Sequence, residues 1–142
     1  MSVFEDSGEA AQTAYEEVRS DDNETMWCAL QYDGKKLEVS CTGTDYSELL
    51  GLMGDDERVY AYVRFETGDE MSRRAKFAFI TWIGPSVSPL KKAKVSTDKA
   101  FVKAVWPNFG KEILADEKSE LKQEKILKIL EAASGAAYGT GK

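Results

Sequence analysis

Two runs of alternating apolar residues near the middle of the chain predict a pair of neighbouring strands. They lie between Glu57 and Trp82 and are joined by a charged loop. Both sides of the alternation are largely apolar, which is typical of strands that other elements cover on both faces. We therefore expect this hairpin at the centre of the fold. The alternating sets are Val59, Ala61, Val63 and Phe65 with Tyr60 and Tyr62 in the first run, and Phe77, Phe79 and Thr81 with Ala78, Ile80 and Trp82 in the second.

A second hairpin is predicted earlier in the chain, with strands over residues 26–32 and 37–41. The dipeptide Asp33-Gly34 between them is a strong signal for a two-residue type I′ turn. That turn sets a register in which Leu30 faces Leu37, and it gathers the apolar residues on one face. In the same register Cys28 and Cys41 are diagonal neighbours, so we expect no disulfide between them.

The ends of the chain and the segment between the hairpins predict helices. Residues 7–20 carry an apolar stripe at helical spacing, and Ser7 is placed to cap this helix. Residues 44–53 predict a short helix that Thr44 can cap. Asp116 is expected to open a last helix that runs to about Ala133. Its predicted inward residues are Leu121, Ile126, Leu127, Ile129, Leu130 and Ala133.

A long helix is predicted after the second strand pair, from Pro89 to about Asn108. Ser88 followed by Pro89 is a capping residue followed by proline at the first helical position. A short strand is expected after this helix, over residues 111–114. The predicted inner face of the long helix consists of Leu90, Ala93, Thr97, Ala100, Phe101, Ala104 and Val105.

The order α-β-β-α-β-β-α-β-α predicts an α+β fold, with a central mixed sheet of five or six strands and helices on both faces. At 142 residues with 42% hydrophobic content, the chain suits one domain with one sizeable core. We expect the domain to span residues 1–134 and residues 135–142 to form a flexible tail. We find no apolar run near the ~20 residues that span a bilayer and no apolar signal segment at the start. Together with only two cysteines, this favours a reducing, cytoplasmic setting.

The residue types needed for most enzyme sites are missing from the sequence. Histidine is absent, which excludes Ser-His-Asp and Cys-His arrangements and histidine metal ligands. The two cysteines match no zinc spacing, and neither glycine-rich phosphate-binding pattern occurs. Paired acids such as Asp55 and Asp56 fall in predicted turns, where solvation explains them. We therefore expect no enzyme, no cofactor and no metal site.

The basic residues are concentrated in one part of an acidic chain. The net charge is −6, yet residues 71–103 hold eight basic residues and one acid, Asp98. On a straight helix Lys92, Lys99 and Lys103 fall within about 40° of one another, whereas Lys94 lies well outside that stripe. Such a band favours one oriented contact with an acidic partner, although a solvated basic face without any partner is an open alternative. Its members in the predicted strand pair are Arg73, Arg74 and Lys76.

The central hairpin resembles a known family. The runs YAYVRF at 60–65 and SRRAKFAFITWIG at 72–84 are similar to the core of coactosin-like proteins, which belong to the ADF/cofilin homology (ADF-H) group. Further similarity covers Trp27 and residues 32–35, 92–94, 97–99, 108–109 and 135–138, so the likeness extends over residues 8–138. It implies the cofilin/gelsolin-like ADF-H fold and binding along actin filaments.

The resemblance also implies how such a protein acts and which residues it uses. Coactosins are described as side-binders that do not sever filaments, bind monomeric actin weakly or not at all, and oppose capping. The family's principal contact corresponds to Lys76, and the long-helix cations of its ADF-H relatives correspond to Lys92 and Lys94. We add Arg73, Arg74 and Lys99 from the basic band and expect a monomer in the cytoplasm and cytoskeleton. We expect Lys76 and Lys92 to share one docking surface.

This sequence departs from the family in the last helix. Relatives carry a Lys-Lys pair, linked to actin and in some members to a lipoxygenase, where this chain has Glu131 and Ala132. Lys125 and Lys128 could substitute by position. Two other functions stay open: a cofilin-like binder of monomer and filament, or a phosphoinositide- or polyanion-binding module. Nucleic acid is not expected as a partner because the chain is acidic overall.

Overall fold

The computed structural model describes residues 3–68 and 74–140, and over 134–140 the backbone alone. Its elements follow the predicted order, with one additional 3₁₀ turn. They are α1 Gly8–Arg19, β1 Trp27–Asp33, β2 Lys36–Gly43, α2 Tyr46–Leu50, β3 Arg58–Thr67, β4 Arg74–Ile83, α3 Pro89–Val105, β5 Lys111–Ala115, the 3₁₀ turn Lys118–Leu121 and α4 Gln123–Thr140.

The strands form one five-stranded sheet in the order β2-β1-β3-β4-β5. All neighbouring strands are antiparallel except β4 and β5, which are parallel. The parallel pair arises because α3 carries the chain from the end of β4 back to the start of that strand. The mixed sheet and its helices confirm the predicted α+β fold, and the central hairpin lies where the alternating pattern placed it.

Helices cover both faces of the sheet, and alternate residues of the central strands point to opposite faces and pack in two separate cores. Val59, Ala61 and Ile80 pack in one cluster with residues of α2 and α4. Tyr60 and Phe79 pack in the other with residues of α1 and α3. The apolar character of both sides of β3 and β4 is therefore explained by two separate cores.

The three tryptophans tie surrounding segments to the sheet. All are almost completely buried, and each indole N–H donates to a backbone carbonyl. Trp27 Nε1 donates to Asp45 O at 2.8 Å, and Trp82 Nε1 donates to Gly54 O at 2.8 Å. Trp106 Nε1 donates to a carbonyl of α1, that of Ala11, at 3.0 Å. Each indole thus contributes apolar area together with a satisfied polar group.

The first hairpin differs from its predicted register. Asp33 pairs with Lys36, so the two-residue turn is Gly34-Lys35, and Leu30 faces Val39 instead of Leu37. Gly34 has a φ of +64°, a conformation that glycine adopts without strain. The glycine therefore takes the first turn position, and Asp33 stays in the ladder.

A β-bulge between Ala29 and Leu30 shifts the register once more along the same hairpin. Such a bulge leaves no signal in the alternating pattern. Cys28 lies opposite Thr42, and Cys41 lies opposite Ala29. Both cysteines are free thiols, as predicted.

Ser7 is the N-cap residue of α1 as predicted, but without the expected side-chain hydrogen bond, and the predicted starts of the second and last helices are wrong. The Ser7 hydroxyl donates to Phe4 O and Leu37 O and makes no cap hydrogen bond to α1. Asp45, not Thr44, caps α2 by accepting from the Ser47 N–H at 3.0 Å. Asp116 does not open the last helix, because a capping box of Glu117 and Glu120 forms the 3₁₀ turn first.

The last helix also ends later than expected. The backbone of α4 reaches Thr140, beyond the predicted end at Ala133. Alanine has a high helix propensity, and four alanines between positions 132 and 137 favour this extension. The inward positions Ile126 and Leu130 are confirmed, whereas Ile129 is 36% exposed. The division into a domain over residues 1–134 and a tail over residues 135–142 stays a prediction.

Candidate functional site

The long helix α3 presents a different face to the core from the one predicted. Val95, Asp98 and Val102 are buried against the sheet. Leu90, by contrast, is 83% exposed and Phe101 is 38% exposed. The buried positions follow i, i+3, i+7 spacing around an aspartate, and the apolar pattern hid this stripe because it contains a charged residue. The helix therefore turns its small and apolar residues outward.

Two lysines of the predicted basic stripe meet one acid of the neighbouring strand. Glu112 on β5 receives Lys99 Nζ at 2.8 Å and Lys103 Nζ at 2.7 Å, one on each carboxylate oxygen. Partial burial works to raise the pKa of Glu112, but the hydrogen bonds from Lys103 and Lys99 lower it overall. The stripe exists, with two of its three members paired inside the molecule.

Lys94 lies on another side of α3, as the helical angle predicted. Its Nζ is 2.8 Å from Asp98 Oδ2 and 5.3 Å from the centre of the Tyr32 ring. The Tyr32 hydroxyl donates to the same carboxylate oxygen at 2.7 Å. Lys94 therefore balances the buried charge of Asp98, and its ammonium group is directed at the protein's own interior.

Lys92, the third member of the stripe, is exposed. It lines a recess at the end of β4 and β5, beside Ile83, Leu114 and Ala115. Leu114 is itself 61% exposed, so a cation and an apolar side chain lie together at this edge of the sheet. Such a combination is common at the margin of protein interfaces.

The second basic region lies at the start of β4. Arg74 is exposed and Lys76 is half-buried, whereas Arg73 lies outside the described residues. The β4 ladder with β5 begins at Ala78, so the first residues of β4 form an edge of the sheet. Lys76 lines an open groove of about 470 Å³ there. We call this the β4 groove, and its walls are Arg19, Ala75, Lys76, Phe77, the loop 107–110, Leu130 and Ala133.

Lys76 and Lys92 lie at opposite ends of the same sheet edge. Lys76 precedes the β4–β5 ladder, whereas Lys92 lies beside Ile83 at the other end of β4. At about 3.3 Å per residue, this stretch of β4 spans roughly 23 Å. Docking through both lysines therefore needs an extended partner surface, and their joint use stays a prediction.

The predicted cations of the last helix are exposed but do not line the groove. Lys125 and Lys128 are both on the surface of α4. Among the α4 side chains that the structure describes, Leu130 and Ala133 reach the β4 groove and contribute apolar wall. Glu131 and Ala132 are exposed, so an acid and an alanine occupy this part of the α4 surface.

Arg19 is a cation near Lys76 that the sequence analysis missed. Its guanidinium carbon lies 4.7 Å from the centre of the Phe77 ring and 5.7 Å from that of Tyr15. Its Nη1 donates to the Tyr62 hydroxyl at 2.9 Å and to Asn108 O at 3.3 Å. Burial opposes its charge, but the hydrogen bond to Tyr62 raises the pKa of Arg19 overall.

Arg64 is a second missed cation, with a structural role. It is only 7% exposed, and its Nη1 donates to Val18 O at 3.2 Å and Arg19 O at 3.1 Å. It also pairs with Asp21 and with Glu66. An arginine inside a strand that is apolar on both sides was the available signal, because such a charge must be paired. Arg64 thereby holds the end of α1 that carries Arg19.

Comparison with known proteins decides the family. The sequence pattern of the family described as "Cofilin/tropomyosin-type actin-binding protein" matches residues 4–131. The chain belongs to this family. It is 45% identical to coactosin-like protein of Bos taurus over 130 residues, which is 92% of each chain.

Solved structures of coactosins have the same fold. A crystal structure of human coactosin-like protein matches with a TM-score of 0.84 and 42% identity, and the match covers 88% of this chain and 95% of that one. A solution structure of mouse coactosin, described as an actin filament binding protein, matches with a TM-score of 0.77 and 43% identity over 94% of both chains. The resemblance to coactosins and the ADF-H fold is confirmed.

In this actin-binding domain, one group of acids has metal-like spacing. Asp116, Glu117 and Glu120 are exposed and lie close together. Glu120 Oε1 accepts the N–H groups of Asp116 and Glu117 at 3.2 and 3.1 Å, so the cluster is explained by the cap of the 3₁₀ turn. Within the described ranges, no helix is both long enough and apolar enough to cross a bilayer.

Proposed function

We propose that this coactosin-type protein binds along the side of actin filaments and modulates their dynamics without severing them. A molecule bound to the side next to a filament end would hinder the approach of a capping protein, which is how it would oppose capping. Mouse coactosin, 43% identical over most of both chains, is described as an actin filament binding protein. The position of Lys76 beside an open groove is the observation on this chain that carries the proposal.

Lys76 is held by a stiff support. β4 pairs with β3 along its whole length, and Lys76 lies opposite Phe65, which is 2% exposed. The half-buried lysine can lay its aliphatic stem on apolar neighbours while its ammonium group reaches solvent. A cation carried by a fixed strand loses less conformational freedom on docking than one in a loop.

The outward face of α3 supplies a second contact area. Ala93, Ala100 and Ala104 are exposed and small, which lets another surface approach the helix closely. The exposed Leu90 flanks them on one side and Lys92 on the other. Because the core does not use these apolar residues, a partner surface is the simplest reason for their pattern.

Electrostatics should orient the encounter more than it should strengthen the complex. The chain carries a net charge of −6, so most of its surface repels an acidic filament and the basic regions select the orientation. A lysine–carboxylate pair at ~4 Å is worth at most about 4 kcal/mol near the protein surface before desolvation. We therefore expect modest affinity that falls as ionic strength passes ~0.15 M.

Parallel pelleting with polymerised and unpolymerised actin tests the proposal. We expect the wild type to pellet with filaments, and Lys76→Ala to bind severalfold less while its unfolding midpoint stays near that of the wild type. Lys35→Ala is the matched control, because Lys35 is exposed in the turn of the first hairpin at the other end of the sheet. Equal binding by Lys76→Ala at low and physiological salt would remove Lys76 from the surface.

The same assays separate the alternatives. A cofilin-like protein would bind monomeric actin as tightly as filaments and would shorten filaments viewed by microscopy. A phosphoinositide- or polyanion-binding module would be retained on anionic vesicles or heparin at salt concentrations that release it from filaments. For the coactosin type we expect filament binding, unchanged filament length distributions, slower capping and a monomeric protein in the cytoskeleton.

A further inference from the structure

The described residues that line the β4 groove are two cations, one polar residue, Asn108, and otherwise apolar groups or glycine. Arg19 and Lys76 supply the charge, and Phe77, Phe109 and Leu130 supply apolar wall. No acid occurs among the described residues that line it. A groove of about 470 Å³ is large enough for one or two side chains. Its chemistry suits a carboxylate together with an adjoining apolar group.

Arg19 is oriented by neutral neighbours. Its guanidinium lies over the rings of Phe77 and Tyr15, and its Nη1 donates to the Tyr62 hydroxyl and to Asn108 O. The Nε and Nη2 groups have no acceptor among the described residues. Arginine presents such N–H groups as a rigid fork that matches a carboxylate. The Arg19 side chain is therefore preorganised to bind an anion, and no acid among the described residues binds to it.

The ring contacts add to this arrangement. Phe77 also stacks on Tyr62 at 5.4 Å between ring centres, and Tyr62 contacts Tyr15 at 4.7 Å. These aromatic side chains belong to β4, β3 and α1, so Arg19 rests on three packed elements. A hydrogen-bond donor that is already held in place loses little conformational entropy on binding, and this favours higher affinity.

We propose that the β4 groove receives an acidic side chain of an actin filament subunit and that Arg19, together with Lys76, determines this specificity. The inference rests on the proposed function for the identity of the partner. It adds α1 to a docking surface otherwise built from β4, α3 and α4. It also gives the partner's chemistry: a glutamate or aspartate next to an apolar residue.

Filament pelleting of matched variants tests the role of Arg19. We expect Arg19→Ala to weaken binding about tenfold, because a charge-assisted pair is lost. Arg19→Lys should retain the charge but lose the fork, and we expect about threefold weaker binding. Lys35→Ala again controls for a loss of positive charge. Wild-type affinity for Arg19→Lys and Arg19→Ala would overturn the proposal.

A groove-filling variant covers the case in which Arg19→Ala unfolds the protein. Ala133→Phe places a large side chain in the groove and leaves every hydrogen bond of Arg19 in place. We expect about tenfold weaker filament binding at an unchanged unfolding midpoint. Undiminished binding by a folded Ala133→Phe would show that the groove stays empty in the complex and would overturn the proposal.

A peptide titration separates this inference from the proposed function. If the wild type does not pellet with filaments, the proposed function fails on its own. The groove is then probed by the Arg19 Nε–H resonance during titration with a tripeptide of glutamate, leucine and glutamate. A shift that Ala133→Phe abolishes supports the groove as an acidic-segment site. No shift, or an equal shift with inorganic phosphate, overturns that assignment.

Discussion

Three lysines of α3 and Arg19 of the β4 groove are held in place by different kinds of partner. Lys94, Lys99 and Lys103 are paired with acids of the same chain. Arg19 instead rests on aromatic rings and donates to a hydroxyl and a carbonyl. A cation that is already paired with an acid attracts an acidic partner weakly. A cation oriented by neutral groups still attracts such a partner with its full charge. A count of basic residues therefore overstates α3 and misses the groove.

The variant with the largest expected effect removes Asp98, the buried acid of α3. Asp98 is 5% exposed and balances Lys94 while accepting the Tyr32 hydroxyl. Asp98→Ala leaves both groups without their acceptor, and we expect a loss of about 3 kcal/mol in the free energy of unfolding. Urea denaturation measures it. Asp98→Asn, which keeps an acceptor, should cost less, and an equal cost for both would show that the carboxylate is not needed.

Release of the α3 lysines should strengthen docking. Glu112→Gln removes the charge that Lys99 and Lys103 share, which leaves both ammonium groups available to an acidic partner. We expect roughly threefold tighter filament binding and a steeper salt dependence, since two more cations would act on the partner. Pelleting across a salt series measures both. Unchanged affinity and salt slope would place these lysines outside the docking surface.

Lys92 and Lys94 of α3 should respond differently to replacement by alanine. Lys92 is exposed, so Lys92→Ala should weaken filament binding about twofold and leave stability unchanged. Lys94→Ala should instead lower the unfolding midpoint and leave filament binding within error, because Lys94 serves Asp98. Pelleting and urea denaturation of both variants provide the comparison. The reverse pattern would contradict the assignment of Lys94 to the interior.

The smallest effect is a pH dependence at Glu112. Its pKa is lowered in the folded protein despite partial burial, because Lys103 and Lys99 stabilise the carboxylate. A lowered folded pKa contributes stability above the ordinary glutamate value of ~4.3, and that contribution is lost as the pH falls through the lowered pKa. The stability advantage of the wild type over Glu112→Gln should therefore shrink between pH ~7 and pH ~3. Parallel urea titrations at the two pH values measure the difference.

The sequence predicts the sheet better than it predicts the helix faces. β3 and β4 were recognisable because their alternation is regular and apolar on both sides, which few other structures produce. The face of α3 was not, because the stripe that contacts the core contains Asp98 and the exposed side contains alanine and leucine. A buried aspartate with two partners is a tertiary feature, and periodicity alone does not reveal it.

Local shifts and distant contacts account for the other differences. The bulge opposite Ala29 and Leu30 leaves one residue of β2, Ser40, without a counterpart in β1, so the alternating pattern could not give the register of the first hairpin. Lys76 was predicted as a contact from family resemblance and charge, and its role stays a prediction. Arg19 was missed because its role depends on Phe77 and Asn108, which are remote in sequence.

The placement of the tryptophans determines what optical measurements can report. Trp27, Trp82 and Trp106 are all buried within the two cores, and none of them lines the β4 groove. Intrinsic fluorescence of this protein should therefore follow unfolding closely and respond little to occupancy of the groove or of α3. A red-shifted emission in a variant would report a loosened interior, so a spectrum taken before any pelleting experiment separates a weakened contact from a damaged fold.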